Sequence, residues 1–186
     1  MTTPPSGKSY GAVPRAAAET PTLRLVFFDG PLELGWSHAG ATAEFLGDFF
    51  SGLSAASGAN VNDARHSIGY LVNELAENAV KFRAPGDVVL EASLDGRNFT
   101  LKLANFASAE TTTRFGTLLE EIVSRDPGEL LIERIEANAE DPDAGGSGLG
   151  ILTLMNDYGA ELGWTFEQAG RDAPVRLETF AALALS

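Results

Sequence analysis

Residues 63–82 constrain this chain more than any other segment, because two different surfaces are written into one helical run. Ile68, Val72, Leu75, Ala79 and Phe82 recur at intervals of three and four, which predicts a helix with one buried face. Glu74, Asn78 and Lys81 recur at the same spacing on another side, so they stack into one polar stripe. Pro85-Gly86 ends the run. Such a helix has to seal a core with one face and present three functional side chains with the other. Each of the three also has an ordinary explanation, since Glu74 and Asn78 fit a solvated face and Glu77 can pair with Lys81 at i,i+4.

The second constraint is the run Gly145-Gly146-Ser147-Gly148-Leu149-Gly150, which leads directly into an apolar helix over residues 151–158 closed by Gly159. Glycines at a helix start let backbone amides approach an oxyanion, and the helix N-terminus adds partial positive charge. A plain surface loop ahead of an ordinary helix has the same appearance.

The rest of the chain supplies the scaffold. Residues 23–28 and 32–36 flank Asp29-Gly30-Pro31 and predict a hairpin; residues 41–53 predict a helix that turns Phe45, Leu46, Phe49, Phe50 and Leu53 inward. Residues 88–94 and 99–103 flank Asp95-Gly96, a tight-turn dipeptide, and Asn105 shares the parity of Phe99, Leu101 and Leu103 and so points toward the core. Residues 106–145 form an insertion with two short helices split at Pro127-Gly128, placed to act as a lid. Strands over 162–167 and 175–182 close the chain, and Trp36 and Trp164 fit strand cores. Residues 1–21, rich in Pro, Ser, Thr, Gly and Ala, are expected to be a mobile tail, leaving one domain over 22–186. The expected fold is a two-layer α/β (α+β) sandwich, with a mixed, mostly antiparallel sheet and helices on one face.

Composition removes several function classes. Asp and Glu outnumber Lys and Arg by 26 to 13, a formal charge of -13, so no basic stripe is available to neutralise a nucleic-acid backbone. With no cysteine and only His38 and His66, disulfides, thiolate catalysis and a zinc centre have no donors. No apolar stretch is long enough to span a bilayer and no signal peptide is evident, which predicts a cytoplasmic protein. His66 lies early in its helix without the helical hairpin of a phosphoaccepting histidine. The apolar residues of the opening hairpin and first helix fit either a homodimer interface or a monomer core.

The string Asn73-Glu74-Leu75-Ala76-Glu77-Asn78-Ala79-Val80-Lys81, followed downstream by Gly146-Ser147-Gly148-Leu149-Gly150, resembles the N box and second glycine box of the GHKL (Bergerat-fold) ATPase superfamily. The likeness covers residues 23–183 and, in size and layout, is nearest the anti-sigma-factor serine kinases and related ATP-binding regulators that act with STAS-domain proteins and PP2C-type phosphatases. It implies ATP and Mg²⁺ as cofactors, Asn78 as the magnesium ligand and Glu74 as general base. It also implies that the glycine loop, with Gly146, Ser147, Gly148, Leu149 and Gly150, closes over the phosphates, with Lys81 as a phosphate contact. The family's first glycine box, Asp-x-Gly-x-Gly, is replaced here by Asn105-Phe106-Ala107-Ser108. Asn105 then has two readings: an acceptor for the adenine amino group, or a strand-end asparagine bonded to nearby backbone. The resemblance implies a serine/threonine kinase acting on a STAS-like partner; the lost box equally suits a non-catalytic module that sequesters its partner.

Overall fold

The computed structural model describes residues 7–14, 22–29, 36–140, 148–170 and 173–186. Six strands form one open sheet in the order β1-β5-β6-β4-β3-β2: β1 (Ser9–Gly11), β2 (Leu23–Phe27), β3 (Val88–Asp95), β4 (Asn98–Ala107), β5 (Glu161–Gln168) and β6 (Val175–Ala184). Every pairing is antiparallel, so the mixed sheet expected from the sequence is corrected to an antiparallel one among the described residues. The helices are α1 (Trp36–Ser54), α2 (Val61–Phe82), α3 (Ala109–Ser124), α4 (Pro127–Glu140) and α5 (Leu149–Asn156). No helix among the described residues is long and apolar enough to cross a membrane.

The period-two pattern of the strands decides which face is sealed. In register, Leu90 faces Leu103, Leu103 faces Thr179 and Thr179 faces Trp164, and all four are buried together with Phe99, Phe166 and Leu177. The opposite face carries a charged ladder. Arg24 bonds Glu91 at 3.3 Å, Glu91 bonds Lys102 at 2.8 Å, Lys102 reaches Glu178 at 3.8 Å, and Glu178 holds Arg176 at 2.7 Å. Pairs of this kind contribute little stability each, but they keep that face polar and fix the inward register of the other. The architecture is α+β and fits a two-layer sandwich.

Several elements differ from the sequence expectation. Ser9–Gly11 lies inside the segment expected as a tail, yet it is an edge strand: Ala12 N–H donates to the Leu162 carbonyl at 2.8 Å and Phe166 N–H to the Lys8 carbonyl at 3.1 Å. Tyr10 is buried there, edge-on to Phe166 at 5.6 Å between centroids. Of the expected hairpin over 23–36, only the first strand and Trp36 lie among the described residues. β2 pairs with β3, Trp36 opens α1 rather than ending a strand, and residues 30–35 lie outside the described residues. On α1 the inward stripe is narrower than expected: Leu46 and Phe50 are fully buried, whereas Phe45, Phe49 and Leu53 remain exposed. Phe82, expected inward, is exposed at the end of α2, and on α4 Ile135 is exposed while Leu130 and Leu131 are buried.

Candidate functional site

Helix α2 starts because Asn60 caps it, its side chain accepting from Asn62 N–H at 3.1 Å and Asp63 N–H at 3.4 Å. It ends where Arg83 turns extended ahead of Pro85 and Gly86, and Asp29 pins that exit by accepting from Gly86 N–H at 2.7 Å and from Arg83 at 3.2 Å. Between these ends Ile68, Leu71, Val72, Leu75 and Ala79 are buried, and this fixes the azimuth of Glu74, Asn78 and Lys81.

The polar stripe opens into a cavity of about 930 Å³. Its floor is the sealed face of the sheet, with Leu103 and Asn105 on β4, Trp164 on β5 and Leu177 and Thr179 on β6; α2, α3 and the start of α5 form its walls. Glu74, Asn78, Lys81, Asn105, Gly148, Leu149 and Gly150 all line it, so every described residue singled out from the sequence is brought to one place. Gly146 and Ser147 lie outside the described residues.

Two glycines at the start of α5 have distinct roles. Gly148 is the N-cap and sits at φ +92°, a conformation that strains any residue with a Cβ. Gly150 is helical, and a Cβ there would fall on the Glu74 carboxylate, so the first turn of α5 packs directly against the acidic side chain of α2. The Glu74 carboxyl is consequently raised above the ordinary carboxylate range: burial is the main cause, the neighbouring Glu77 charge adds to it, and hydrogen bonding with Tyr70 opposes it. Glu77 is itself held by the Asn73 amide, which donates to it at 2.9 Å.

Asn105 is almost completely buried, as the parity of β4 requires, and its amide donates to the Phe106 carbonyl at 3.3 Å. The chain then passes straight into α3. The Ser108 hydroxyl accepts from Thr111 N–H at 3.1 Å as the N-cap, leaving no glycine-rich turn at this corner. Asp126 caps α4 in the same way, accepting from Gly128 N–H at 3.0 Å and Glu129 N–H at 2.9 Å with Pro127 at the first helical position.

Sequence reasoning passed over four residues at this site. Tyr70 extends the α2 stripe one turn toward the N-terminus, and its ring stacks on Tyr158 at 4.9 Å with planes 12° apart. Tyr158, whose hydroxyl lies 3.1 Å from His66 Nε2, ties the end of α5 back to α2. Thr179, a buried residue of β6, lines the floor, and Arg114 lines the α3 wall. Only Tyr70, four residues before Glu74, carried a signal in the sequence, as a continuation of the i,i+4 stripe.

The arrangement offers a carboxylate with elevated proton affinity, a neutral amide oxygen one turn away, helix-terminal amides and two cations around a partly apolar floor. That suits a ligand with an aromatic or apolar body and an anionic end. Among the described residues no three His, Cys, Asp or Glu side chains converge as a metal cage. A single amide such as that of Asn78 still fits Mg²⁺, which keeps most of its waters and takes its charge balance from phosphates. Set against models of known protein families, characterised proteins and solved structures, this chain matches none.

Proposed function

We propose that this chain is a cytoplasmic ATP-binding regulator of the GHKL type, which phosphorylates a serine or threonine on a STAS-like partner protein in a partner-switching pathway, with a PP2C-type phosphatase reversing the mark. The observation that supports this most is the convergence of Glu74, Asn78, Asn105 and the Gly148–Gly150 turn on one cavity from α2, β4 and α5, elements far apart in sequence. Mg²⁺ bound with ATP would neutralise the phosphate charge, and Asn78 is the residue suited to hold it. In the transfer, the acceptor hydroxyl oxygen bonds to the terminal phosphorus while the bond to the bridging oxygen breaks and ADP leaves. Glu74 takes the hydroxyl proton, a task for which burial has raised its basicity.

A second reading has its own support. The Asn105 amide is engaged with the Phe106 carbonyl, and Ser108 starts α3 where the family has a glycine-rich turn. Both features suit a module that binds and sequesters its partner without catalysis. Incubating the protein with MgATP and single-domain STAS proteins from the same genome, with mass spectrometry for phosphoserine and phosphothreonine, separates the two. Phosphate on the partner is the expected result, and a stable complex with no phosphate favours the sequestering module.

A further inference from the structure

The two edges of the sheet are built differently. β1 is three residues long, an edge too short to template another strand well. β2 runs Leu23-Arg24-Leu25-Val26-Phe27, and among the described residues its outer side pairs with nothing. Its one charge, Arg24, is committed to Glu91 at 3.3 Å. Leu23, Leu25 and Phe27 stand on the sealed face opposite Ala92, Leu90 and Val88. Those three partners are buried, whereas the β2 side chains are only partly covered, so the core runs out at this edge. Phe28, the next residue, is 75% exposed.

Helix α1 turns an apolar seam toward the same flank. His38, Thr42, Phe45 and Phe49 follow one another at intervals of four, three and four and so share one side of the helix. His38 and Thr42 border a small cavity together with Phe27, which sets that side toward β2. Gly47 marks the other side, since a Cβ there would come within 2.9 Å of the Arg65 carbonyl of α2. Phe45, Phe49 and Leu53 are 48%, 38% and 44% exposed, and the Phe45 and Phe49 rings lie 5.9 Å apart. Leu46 and Phe50 fill the core from the same helix, which leaves this seam outside it. An apolar seam beside an open strand edge is an association surface.

We infer that this flank joins two copies of the chain, β2 pairing antiparallel with β2 of a second copy to make one continuous sheet, with the two α1 seams packed across the twofold axis above it. The occupant is a second copy because the flank is complementary to itself. Pairing centred on Leu25 sets Leu25 against the partner's Leu25, Leu23 against the partner's Phe27 and Arg24 against the partner's Val26, so no like charges meet. A twofold axis through that centre, normal to the sheet, also brings both α1 helices to the same face. Charge permits the pairing in a chain of formal charge -13: His38, Thr42, Phe45 and Phe49 include no acid, and Asp48 on the same helix is neutralised by Arg65 at 2.5 Å. The inference is independent of the nucleotide reading.

The test is sedimentation equilibrium of the full chain across the micromolar range, for wild type, Phe45→Glu, Val26→Arg and Val26→Glu, with circular dichroism confirming each fold. Wild type should sediment at twice the chain mass of 19.6 kDa. Phe45→Glu should raise the dimer dissociation constant by at least about thirtyfold. The Val26 variants test the register. An arginine there meets the partner's Arg24 and should weaken the dimer about three- to tenfold, whereas a glutamate meets the same guanidinium and should tighten it about two- to threefold. Net charge alone predicts the reverse order, because arginine lowers the excess of acids and glutamate raises it. The two sites lie on different elements, so either decides if a variant at the other fails to fold. A wild type that stays monomeric overturns the inference and leaves the flank to a partner of another sequence. A dimer that Phe45→Glu leaves intact, or Val26 variants that do not differ or rank in the reverse order, overturns it as well.

Discussion

Glu74 carries opposite consequences for stability and for chemistry. A carboxyl whose folded pKa lies above its unfolded value binds protons more readily when folded, so its contribution is most favourable below the unfolded value and is lost as pH rises through the raised one. At neutral pH the charged Glu74 therefore opposes folding. Glu74→Gln is expected to raise Tm near pH 7 and to change it little near pH 4, while lowering phosphoryl transfer by about a hundredfold or more at nearly unchanged ATP affinity. Thermal scans at both pH values, beside transfer assays, check this; a Tm gain of equal size at both would detach the effect from ionisation. Asn105 sets a different test. Asn105→Asp removes the donor to the Phe106 carbonyl and buries a carboxylate beside it, a cost of about 1 to 3 kcal/mol without nucleotide. If the new carboxylate accepts from the adenine amino group, saturating ATP should restore part of that loss and GTP should not, as read by denaturant unfolding with each nucleotide.

At the scale of elements, the meeting of α5 with α2 is the joint on which the site depends. Gly150→Ala places a methyl on the Glu74 carboxylate and is expected to destabilise the protein by about 1 to 3 kcal/mol. Combining it with Glu74→Ala should recover much of the loss, because the group it strikes is gone; simple additivity of the two changes in denaturant unfolding would show that the contact is not the cause. The edge strand gives the other element-scale test. Tyr10→Ala should cost about 3 kcal/mol, where a mobile tail would cost nothing. That strand was not legible in the sequence, since three residues joined to β5 by backbone hydrogen bonds carry no side-chain period. α2 was legible almost to its ends because its two surfaces repeat over 22 residues. Phe45, Phe49 and Leu53 misled, since helical spacing gives the apolar face of α1 but not how much of it the neighbours cover. Arg114 lies in a helix whose visible pattern is its apolar period, so only the folding of α3 over the cavity identifies it.

For the whole molecule, the central claim is that residues from α2, β4, α3 and α5 act as one nucleotide site on a chain whose formal charge is -13. Such a chain repels a polyphosphate at long range, so binding would have to come from local geometry: Asn78 as the proposed magnesium ligand, the α5 amides, and Lys81 and Arg114 on the cavity walls. Removing Asn78 alone should therefore uncouple affinity from the metal without dismantling the fold, since this side chain is only half-buried and lies on the cavity wall. The most direct measurement is calorimetric titration of ATP into wild type and Asn78→Ala, each with Mg²⁺ and with a chelator. The account expects saturable, magnesium-dependent binding by wild type with one nucleotide per chain, and loss of the magnesium-dependent part in Asn78→Ala at unchanged circular dichroism. No heat of binding from wild type at millimolar MgATP, or equal magnesium dependence in both proteins, would contradict it.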